Sequence, residues 1–168
     1  MNKINELLLI YGSNLSKIKE LVLSGADVNY TSPEGLTPLA CAETVDVAAF
    51  LISRGADINA VNEDGKTPIF FMRSLDVCRF VLQNGADARH VNSKGETALF
   101  HTSDIEKIKL LIEAGCSPLV KNISGERHYD LLSGRVKVEF VKYIKSFSKK
   151  EEPRPHAHAH AQRTVLAV

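Results

Sequence analysis

One fifteen-residue pattern occurs three times in the chain, at a fixed spacing of 30 residues. It reads GADVNYTSPEGLTPL at 25–39, GADINAVNEDGKTPI at 55–69 and GADARHVNSKGETAL at 85–99. Such self-similarity is typical of proteins that stack one structural unit along an axis. No unit of this size can bury both faces of its own helices, so each unit must pack against its neighbours.

Two series of glycines predict where each unit turns. The first series follows amphipathic stretches such as VAAFLISR and VCRFVLQN, where a left-handed residue ends a helix at low energetic cost. Its members are Gly25, Gly55, Gly85 and Gly115. The second series follows polar residues, which is typical of turns. Its members are Gly35, Gly65, Gly95 and Gly125.

A short helix is predicted after each turn glycine. Thr37-Pro38 and Thr67-Pro68 place a capping hydroxyl before a proline at the first helical position, and Thr97 keeps the cap without the proline. After a break comes a second helix of about nine residues, which starts near Val45, Leu75 and Ile105. This second helix repeats one apolar register, at Phe50, Phe80, Leu110 and Phe140 and beside them at Leu51, Val81, Leu111 and Val141.

The order of turn glycine, Thr-Pro-Leu, second helix and Gly-Ala-Asp-x-Asn resembles that of the ankyrin repeat. The resemblance covers about 148 residues and implies an all-α fold, a helical solenoid of stacked helix-turn-helix repeats joined by hairpin tips. The period is three residues shorter than the usual 33. Because ten residues still separate Gly55 from Gly65, the shortening is predicted in the first helix. Stacked phenylalanines are expected to replace the bridging histidine that usually follows Thr-Pro-Leu, whose place is taken by Ala40, Phe70, Phe100 and Asp130.

The repeat pattern divides the chain into one repeat domain and a tail. The predicted domain covers residues 1–148, with an amino-terminal cap at 1–34, repeats at 35–64, 65–94 and 95–124, and a carboxy-terminal cap at 125–148. The amino-terminal cap is expected to be two helices with a polar outer face at Lys17, Lys19 and Glu20. Residues 149–168 contain two prolines and alternating His-Ala, and are predicted to form a disordered tail.

Composition and charge limit the classes of function. With 44% hydrophobic and 24% charged residues, the chain resembles soluble globular proteins, and a net charge of +1 gives no general attraction to nucleic acid or anionic lipid. The charge is uneven: residues 1–84 carry 7 basic and 10 acidic side chains, a net −3, and residues 85–168 carry 14 and 10, a net +4. We recognise no secretory signal or membrane-spanning stretch, and three widely spaced cysteines suit a reducing compartment, so the predicted location is cytoplasmic.

The repeats contain no pattern that predicts catalysis or a cofactor. No phosphate loop or CxxC pair occurs, and no histidine has an acid–base partner at a defined spacing. Repeat positions predict that His90 is exposed on a turn and that three cysteines lie in the core, namely Cys41, Cys78 and Cys116. The tail leaves two alternatives open, a low-complexity segment without function or a weak transition-metal site at His156, His158 and His160.

The surface of the array is therefore the candidate functional site. In ankyrin repeats the residues beside the turn glycine and the outward positions of the first helix usually make the contacts. Carried over to this chain, the turn set is Tyr30, Glu34, Leu36, Val61, Glu63, Asp64, Lys66, His90, Lys94, Glu96, Lys121, Ile123 and Glu126. The first-helix set is Phe71, Met72, Arg73, His101 and Thr102. Two alternatives stay open for Phe70 and Phe71: one is an exposed anchor, or both pack between repeats.

These observations favour a small non-catalytic module that binds one dedicated protein partner, as an adaptor or an inhibitor, and that is monomeric when unbound. Its surface is expected to lack a pocket for small molecules. The resemblance also implies possible roles as a bacterial effector or, the role we favour, an immunity-type inhibitor that neutralises a toxin. The competing hypothesis is a nucleic-acid or membrane-surface binder that uses the basic final helix, VKVEFVKYIKSF.

Overall fold

The protein is a stack of paired helical segments. A computed structural model describes residues 2–150, with side chains for residues 3–146. In chain order the helices are α1 (Asn2–Ile10), α2 (Leu15–Leu23), α3 (Val45–Ser53), α4 (Leu75–Gln83), α5 (Ile105–Glu113), α6 (His128–Leu131) and α7 (Gly134–Lys150). Two 3₁₀ helices precede α4 and α5, at Pro68–Phe70 and Ala98–His101. The predicted all-α solenoid is confirmed, and its repeated second helices are nine residues long, as the pattern predicts.

Helices form both ends of the described array. Two helices form the amino-terminal cap, and the predicted polar positions Lys19 and Glu20 are exposed. At the other end, α7 continues to Lys150, so it extends two residues past the predicted end of the domain at residue 148. The rest of the predicted tail, residues 151–168, lies outside the described residues.

Each second helix begins at a side-chain cap that recurs every 30 residues. The hydroxyl oxygens of Thr44 and Ser74 each accept a hydrogen bond, at 3.3 Å, from the backbone amide three residues later. Asp104 caps α5 in the same way, and Asn14 caps α2. A cap of this type stabilises a helix by about 1 kcal/mol. These four caps explain the predicted break before the second helix.

The glycine that follows each second helix ends it, as predicted. Gly55 has a φ of +90° and Gly85 one of +100°, in the left-handed region that other residues rarely adopt. The next residue, Ala56, donates its amide hydrogen to the carbonyl oxygen of Leu51 at 3.0 Å. This bond satisfies a carbonyl group that would otherwise be free at the helix end.

The first helix of each repeat is reduced to a single turn. The 3₁₀ helix Pro68–Phe70 has three residues, and α6 has four. The segment between Gly55 and Gly65, in contrast, is a complete hairpin tip, closed by a hydrogen bond from the Asn62 amide to the Lys66 carbonyl oxygen at 3.0 Å. The shortening therefore falls in the first helix, as predicted.

Of the three threonines predicted to cap the first helices, one makes the capping hydrogen bond. The Thr37 hydroxyl accepts a hydrogen bond from the Ala40 amide at 3.2 Å. Thr67 and Thr97 make no capping bond, so the prediction is wrong for them. In these 3₁₀ turns the corresponding amide is already used, since the Phe70 amide bonds to the carbonyl oxygen of Thr67 at 3.1 Å.

The hydrophobic core lies between successive second helices. Packing runs along the chain, from α1 on α2 through α2 on α3, α3 on α4 and α4 on α5 to α5 on α7. Leu51, Val81 and Leu111 share one repeat position and are fully buried. Full burial of such a side chain contributes about 1.5–3 kcal/mol. The neighbouring Phe50 and Phe80 are half-buried, so they mark the margin of the core.

An asparagine of the Gly-Ala-Asp-x-Asn pattern joins one repeat to the next. Asn59 donates from Nδ2 to the Gly85 carbonyl oxygen and accepts at Oδ1 from the Asp87 amide, both at 2.9 Å. Asn29 makes the same pair of bonds one repeat earlier. One repeat later Arg89 holds this position, and its guanidinium lies beside the glycine that ends the next helix.

The predicted burial of the cysteines is confirmed for two of the three. Cys78 and Cys116 are buried, and burial raises the pKa of each thiol above its usual value. Cys41 is half-buried, so the predicted core position is wrong there. It follows the single turn of the first repeat, where the next side chain, that of Ala42, occupies the core instead.

The phenylalanines that were expected to stack between repeats contact histidines. The Phe70 ring lies 6.2 Å from that of His90 and 5.4 Å from that of His101, measured between ring centroids. The Phe100 ring lies 6.1 Å from that of His128, edge-on. Each phenylalanine thus contacts the following repeat, but through an imidazole ring rather than through another phenyl ring.

Two buried polar side chains satisfy carbonyl oxygens in the bends before the second helices. Lys107 of α5 is 5% exposed and donates from Nζ to the carbonyl oxygen of Met72, one repeat earlier. It stands where the two preceding repeats have valine, and burial lowers its pKa. His128 is 2% exposed, and its Nε2 lies 3.1 Å from the carbonyl oxygen of Thr102.

We predict that Asn59→Ala lowers the free energy of unfolding by about 1–2 kcal/mol, because it removes both hydrogen bonds to the next repeat. Urea denaturation followed by circular dichroism would measure the change. Arg89→Ala, at the same position one repeat later, is the matched control and should cost less. A loss as large in the control would contradict the bridging role of the asparagine.

The carboxy-terminal repeat is predicted to lose stability in mild acid. Burial lowers the pKa of His128 below its usual 6.5, and within the described residues Nδ1 has no hydrogen-bond partner. Because the folded state disfavours the protonated imidazole, the unfolded state binds more protons as the pH falls below 6.5. The contribution to stability is therefore complete above that pH and is lost as the pH falls through the lower pKa of the folded state.

Urea denaturation at several values between about pH 7.5 and pH 5 would measure this loss. His128→Phe keeps an aromatic ring beside Phe100 and Phe140 but does not titrate. This variant should lose less stability than the wild type over the same range. The same pH dependence in both proteins would show that His128 is not the responsible group.

Candidate protein-binding surface

One polar residue at a fixed position shapes each hairpin tip. Oδ1 of Asn62 accepts hydrogen bonds from two backbone amides of its own tip, at 3.0 and 2.8 Å. Asn92 and Asn122 do the same in the next two tips. In the first tip Ser32 takes this position and accepts one such bond through Oγ at 3.2 Å. The tips therefore have one common backbone form that presents different side chains.

Adjacent tips are also bonded to one another. The Ser93 amide donates to the Asp64 carbonyl oxygen at 2.9 Å, and the same bond joins the next pair of tips. Between the first two tips, Nδ2 of Asn62 donates to the Gly35 carbonyl oxygen at 3.3 Å. A Cβ atom on Gly65 would lie 2.8 Å from the Ser93 amide nitrogen, so the tip glycine also allows this close approach.

The contact residues predicted on the tips divide into an exposed and a half-buried group. The exposed group is Glu34, Val61, Glu63, Asp64, Lys94, Lys121, Ile123 and Glu126. The half-buried group is Tyr30, Leu36, Lys66, His90 and Glu96. Along the row, the exposed charges of these residues are acidic in the first two tips, basic at Lys94 in the third, and of both signs in the fourth, at Lys121 and Glu126.

His90 connects two tips, and the prediction that it is exposed is wrong. Its Nε2 lies 2.7 Å from the Gly65 carbonyl oxygen of the preceding tip, and its ring contacts Phe70 edge-on. The side chain is half-buried as a result. It holds the tips in place, and only part of its surface is available to a partner.

Beside the tips, the first helices form a wall that is one turn thick, and its side chains alternate between core and surface. Phe70 is 4% exposed and Met72 is 2% exposed, whereas Phe71 is half-buried and Arg73 is exposed. The prediction that Met72 contacts a partner is therefore wrong, because its side chain fills the core. Of the two phenylalanines, Phe71 is the one that reaches the surface.

The middle of the wall carries a hydrogen-bonded polar cluster. Oε2 of Glu96 accepts from Nδ2 of Asn92 at 2.9 Å and lies 3.1 Å from Nε2 of His101. Burial acts to raise the pKa of Glu96, but these hydrogen bonds lower it overall. Burial and the nearby Lys66 ammonium lower the pKa of His101, so at neutral pH this contact joins a neutral imidazole to a carboxylate. Lys66 also lies over the Phe71 ring, with Nζ 5.8 Å from the ring centroid.

A half-open groove lies at the amino-terminal end of the wall. Its volume is about 460 Å³. Its larger apolar and sulfur-containing lining residues are Leu9, Leu36, Cys41 and Phe71, and its charged ones are Glu34, Glu43 and Arg73. A second depression of about 410 Å³ shares Glu34 with it and is lined near the tips by Tyr30, Pro33, Glu63 and Asp64.

Several surface residues of this wall were not predicted. Leu9 reaches the groove from α1, and Glu43 reaches it from the bend before α3. Leu131 of α6 is 52% exposed. The 30-residue period was the signal that could have identified two of them, since Glu43 holds the repeat position of Arg73 and Leu131 that of Phe71. Leu9 precedes the first recognisable repeat and had no such signal.

Thr102 lies in the bend after the second 3₁₀ turn. Its hydroxyl accepts a hydrogen bond from the Asp104 amide at 3.1 Å, and its carbonyl oxygen is the one that His128 contacts. The residue is half-buried. Its polar groups are thus already used within the protein.

Neither a membrane span nor a metal cluster is found in the described part of the chain. Between residues 2 and 150, no helix is long and apolar enough to cross a membrane. The same residues contain no group of three or more His, Cys, Asp or Glu side chains placed to hold a metal ion. The tail histidines considered as metal ligands lie beyond this range.

A comparison with protein-family models matches most of the chain to one family. The model for ankyrin repeats (3 copies) matches twice, over residues 7–87 and 41–122. Together the two matches span residues 7–122, well over half of the 168 residues. They include the groove, the first three tips and the polar cluster. No curated protein matches the chain significantly.

Substitutions at two adjacent positions should distinguish a buried position of the wall from an exposed one. Met72→Ala is expected to lower the free energy of unfolding by about 2–5 kcal/mol, because it leaves a cavity in the core. Arg73→Glu, at an exposed position, should change it by less than about 0.5 kcal/mol. Urea denaturation of both variants would measure the difference. Similar losses for the two would contradict the alternation of buried and exposed side chains.

Proposed function

The chain belongs to the ankyrin-repeat family, and from this premise we propose that it binds one dedicated protein partner and acts as an adaptor or an inhibitor. Ankyrin repeats generally mediate protein–protein interaction, and the family is typically non-catalytic. The proposed binding site is the wall and tips of the first three repeats, centred on Phe71 and Arg73. Its remaining predicted contacts, such as Glu34, Lys66 and His101, surround this centre.

The observation that carries the proposal is the surface position of Phe71. Its aromatic ring lines a groove of about 460 Å³, which the exposed Arg73 also lines. Aromatic and arginine side chains are enriched at the centres of protein interfaces, where a few residues supply most of the binding energy. Hydrogen bonds between the tips hold the surrounding surface in one arrangement, which reduces the conformational entropy lost on binding.

Among the possible roles, an immunity-type inhibitor that neutralises a toxin is the one we favour. A short array with one continuous surface suits a single tight partner, because a preformed site loses little free energy in ordering. Adaptor and bacterial-effector roles would use the same surface. The identity of the captured partner would decide among the three.

The basic face of α7 supports a second candidate, the binding of nucleic acid or an anionic membrane surface. Arg135, Lys142 and Lys145 are exposed on this helix. Two of its basic side chains have contacts within the protein: Arg135 pairs with Glu139 at 2.8 Å, and Lys137 lies over the Tyr129 ring. Binding of this type should weaken steeply with salt, because it releases counterions.

Affinity purification from a lysate of the native cell, at low and high salt, would test the first candidate against the second. The informative variant is Phe71→Ala/Arg73→Glu, which removes the proposed centre without touching the buried Met72. The matched control is Phe80→Ala/Arg79→Glu, which makes the same two changes on α4 of the same repeat. Mass spectrometry would identify what each protein retains.

We expect one protein to be retained at both salt concentrations by the wild type and the control, and to be lost with the variant. Nucleic acid or lipid released by salt from all three proteins would contradict the proposal and support α7 as the site. Loss of the protein from the control as well would move the binding surface away from the groove. Circular dichroism would confirm that each variant is folded.

A further inference from the structure

The structure points to the chemical class of the partner: we propose that the groove takes a segment in which basic side chains flank an apolar one. The inference rests on the proposed function, since it assigns the partner of the same surface. It follows from the combination of an apolar floor with a rim of carboxylates in the first two repeats.

The floor of the groove is apolar and partly accessible. Leu36 and Phe71 are half-buried at the wall, and Leu9 contributes from α1. The volume of about 460 Å³ lies within the usual range of about 300–1,000 Å³ for ligand pockets. An apolar side chain of a partner can therefore enter the groove and be removed from water against these three residues, which favours binding in proportion to the area buried.

The rim carries an excess of carboxylates. Among the described residues that line the groove and the adjoining depression, the acidic ones are Glu34, Glu43, Glu63 and Asp64, and the basic one is Arg73. Glu34 lines both and is exposed, and its hydrogen bond with Ser32 lowers the pKa of its carboxyl group, so it is charged at neutral pH. Asp64 already pairs with Lys66, at 3.6 Å between Oδ2 and Nζ. The other exposed carboxylates, those of Glu34, Glu43 and Glu63, can accept charge-assisted hydrogen bonds from lysine or arginine.

The position of the groove in the charge distribution supports the same class of partner. The groove lies in the half of the chain with a net charge of −3, whereas residues 85–168 have a net charge of +4. Exposed lysines follow on the later tips, at Lys94 and Lys121. Within that second half, residues 85–124 carry 5 basic and 5 acidic side chains, so the later repeats have no net charge and the excess lies at 125–168. A basic segment is therefore attracted to the first two repeats more than to the later ones.

Arg73 limits how basic the segment can be. Its guanidinium is exposed on the groove lining, where it can donate hydrogen bonds to backbone carbonyl oxygens of the partner but would repel a lysine placed beside it. In an extended segment, successive side chains point to opposite sides at about 3.3 Å per residue. Side chains two positions from an apolar one directed into the groove point to the same side, about 6.6 Å away, so basic side chains at those positions would be directed toward the rim.

Selection from a library of random peptides displayed on phage would test the inference without the natural partner. The library is panned against the wild type, against Glu34→Lys/Glu43→Lys, and against Glu6→Lys/Glu20→Lys. The last variant makes the same change in net charge at two exposed positions of α1 and α2 that do not line the groove. Binding of the selected peptides is then measured by fluorescence anisotropy.

We expect the wild type to select peptides in which lysine or arginine flanks an aliphatic or aromatic residue. Their affinity should fall about tenfold or more with Glu34→Lys/Glu43→Lys, which corresponds to about 1.4 kcal/mol. It should fall much less with the control variant, and it should also fall with Phe71→Ala/Arg73→Glu. Circular dichroism would verify that all variants are folded.

Selection of acidic or uncharged peptides, unchanged affinity in Glu34→Lys/Glu43→Lys, an equal loss in the control, or no enrichment at all would each overturn the inference. None of these results would contradict the proposed function, which is tested separately by retention of a protein from the lysate. Conversely, the proposed function would be contradicted if the protein captured from the lysate were retained equally by the wild type and by Phe71→Ala/Arg73→Glu. This holds whichever peptides the groove selects.

Discussion

Stacking of neighbouring repeats is the interaction on which the rest of the structure depends. A helix of nine residues is marginally stable in water by itself. Leu51, Val81 and Leu111 are buried because the helices of adjacent repeats cover them. Caps, helix-ending glycines and asparagine bridges then determine where each helix begins, ends and joins the next. The tips and the groove gain their positions from this stack.

The parts of the fold that could be predicted are those whose chemistry is local and recurs at the period. The helix-ending glycines and the nine-residue helices belong to this class, because backbone conformation and apolar register are properties of a few adjacent residues. The caps before the second helices were predictable by the same reasoning. They were missed because the residue type changes at each recurrence, from Asn14 through Thr44 and Ser74 to Asp104.

The candidate site was harder to predict because its walls are single turns. A helix must exceed one turn before its sequence defines a buried face, so nothing local distinguishes Phe71 from Met72. The burial of Lys107 is set by the Met72 carbonyl oxygen, 35 positions earlier in the chain, and that of His90 by the Gly65 carbonyl oxygen. The exposed charges of the tips followed from turn chemistry. The groove could not be predicted, because it is lined by both Leu9 and Phe71, and the 30-residue period does not show that these two residues lie on one surface.

The bonds between tips differ along the array, and this bears on local opening of the protein. A side-chain amide joins the first two tips at 3.3 Å, whereas backbone bonds of 2.9 Å join the later ones. A side chain has rotational freedom that a backbone amide lacks, so its bond restrains the first tip less. The first tip therefore belongs to the part of the molecule with the lower free energy of local unfolding. Since Glu34 and Leu36 lie on that tip and line the groove, a bound partner would add contacts where the array has the weaker inter-tip bond, and amide hydrogen exchange of this tip would slow.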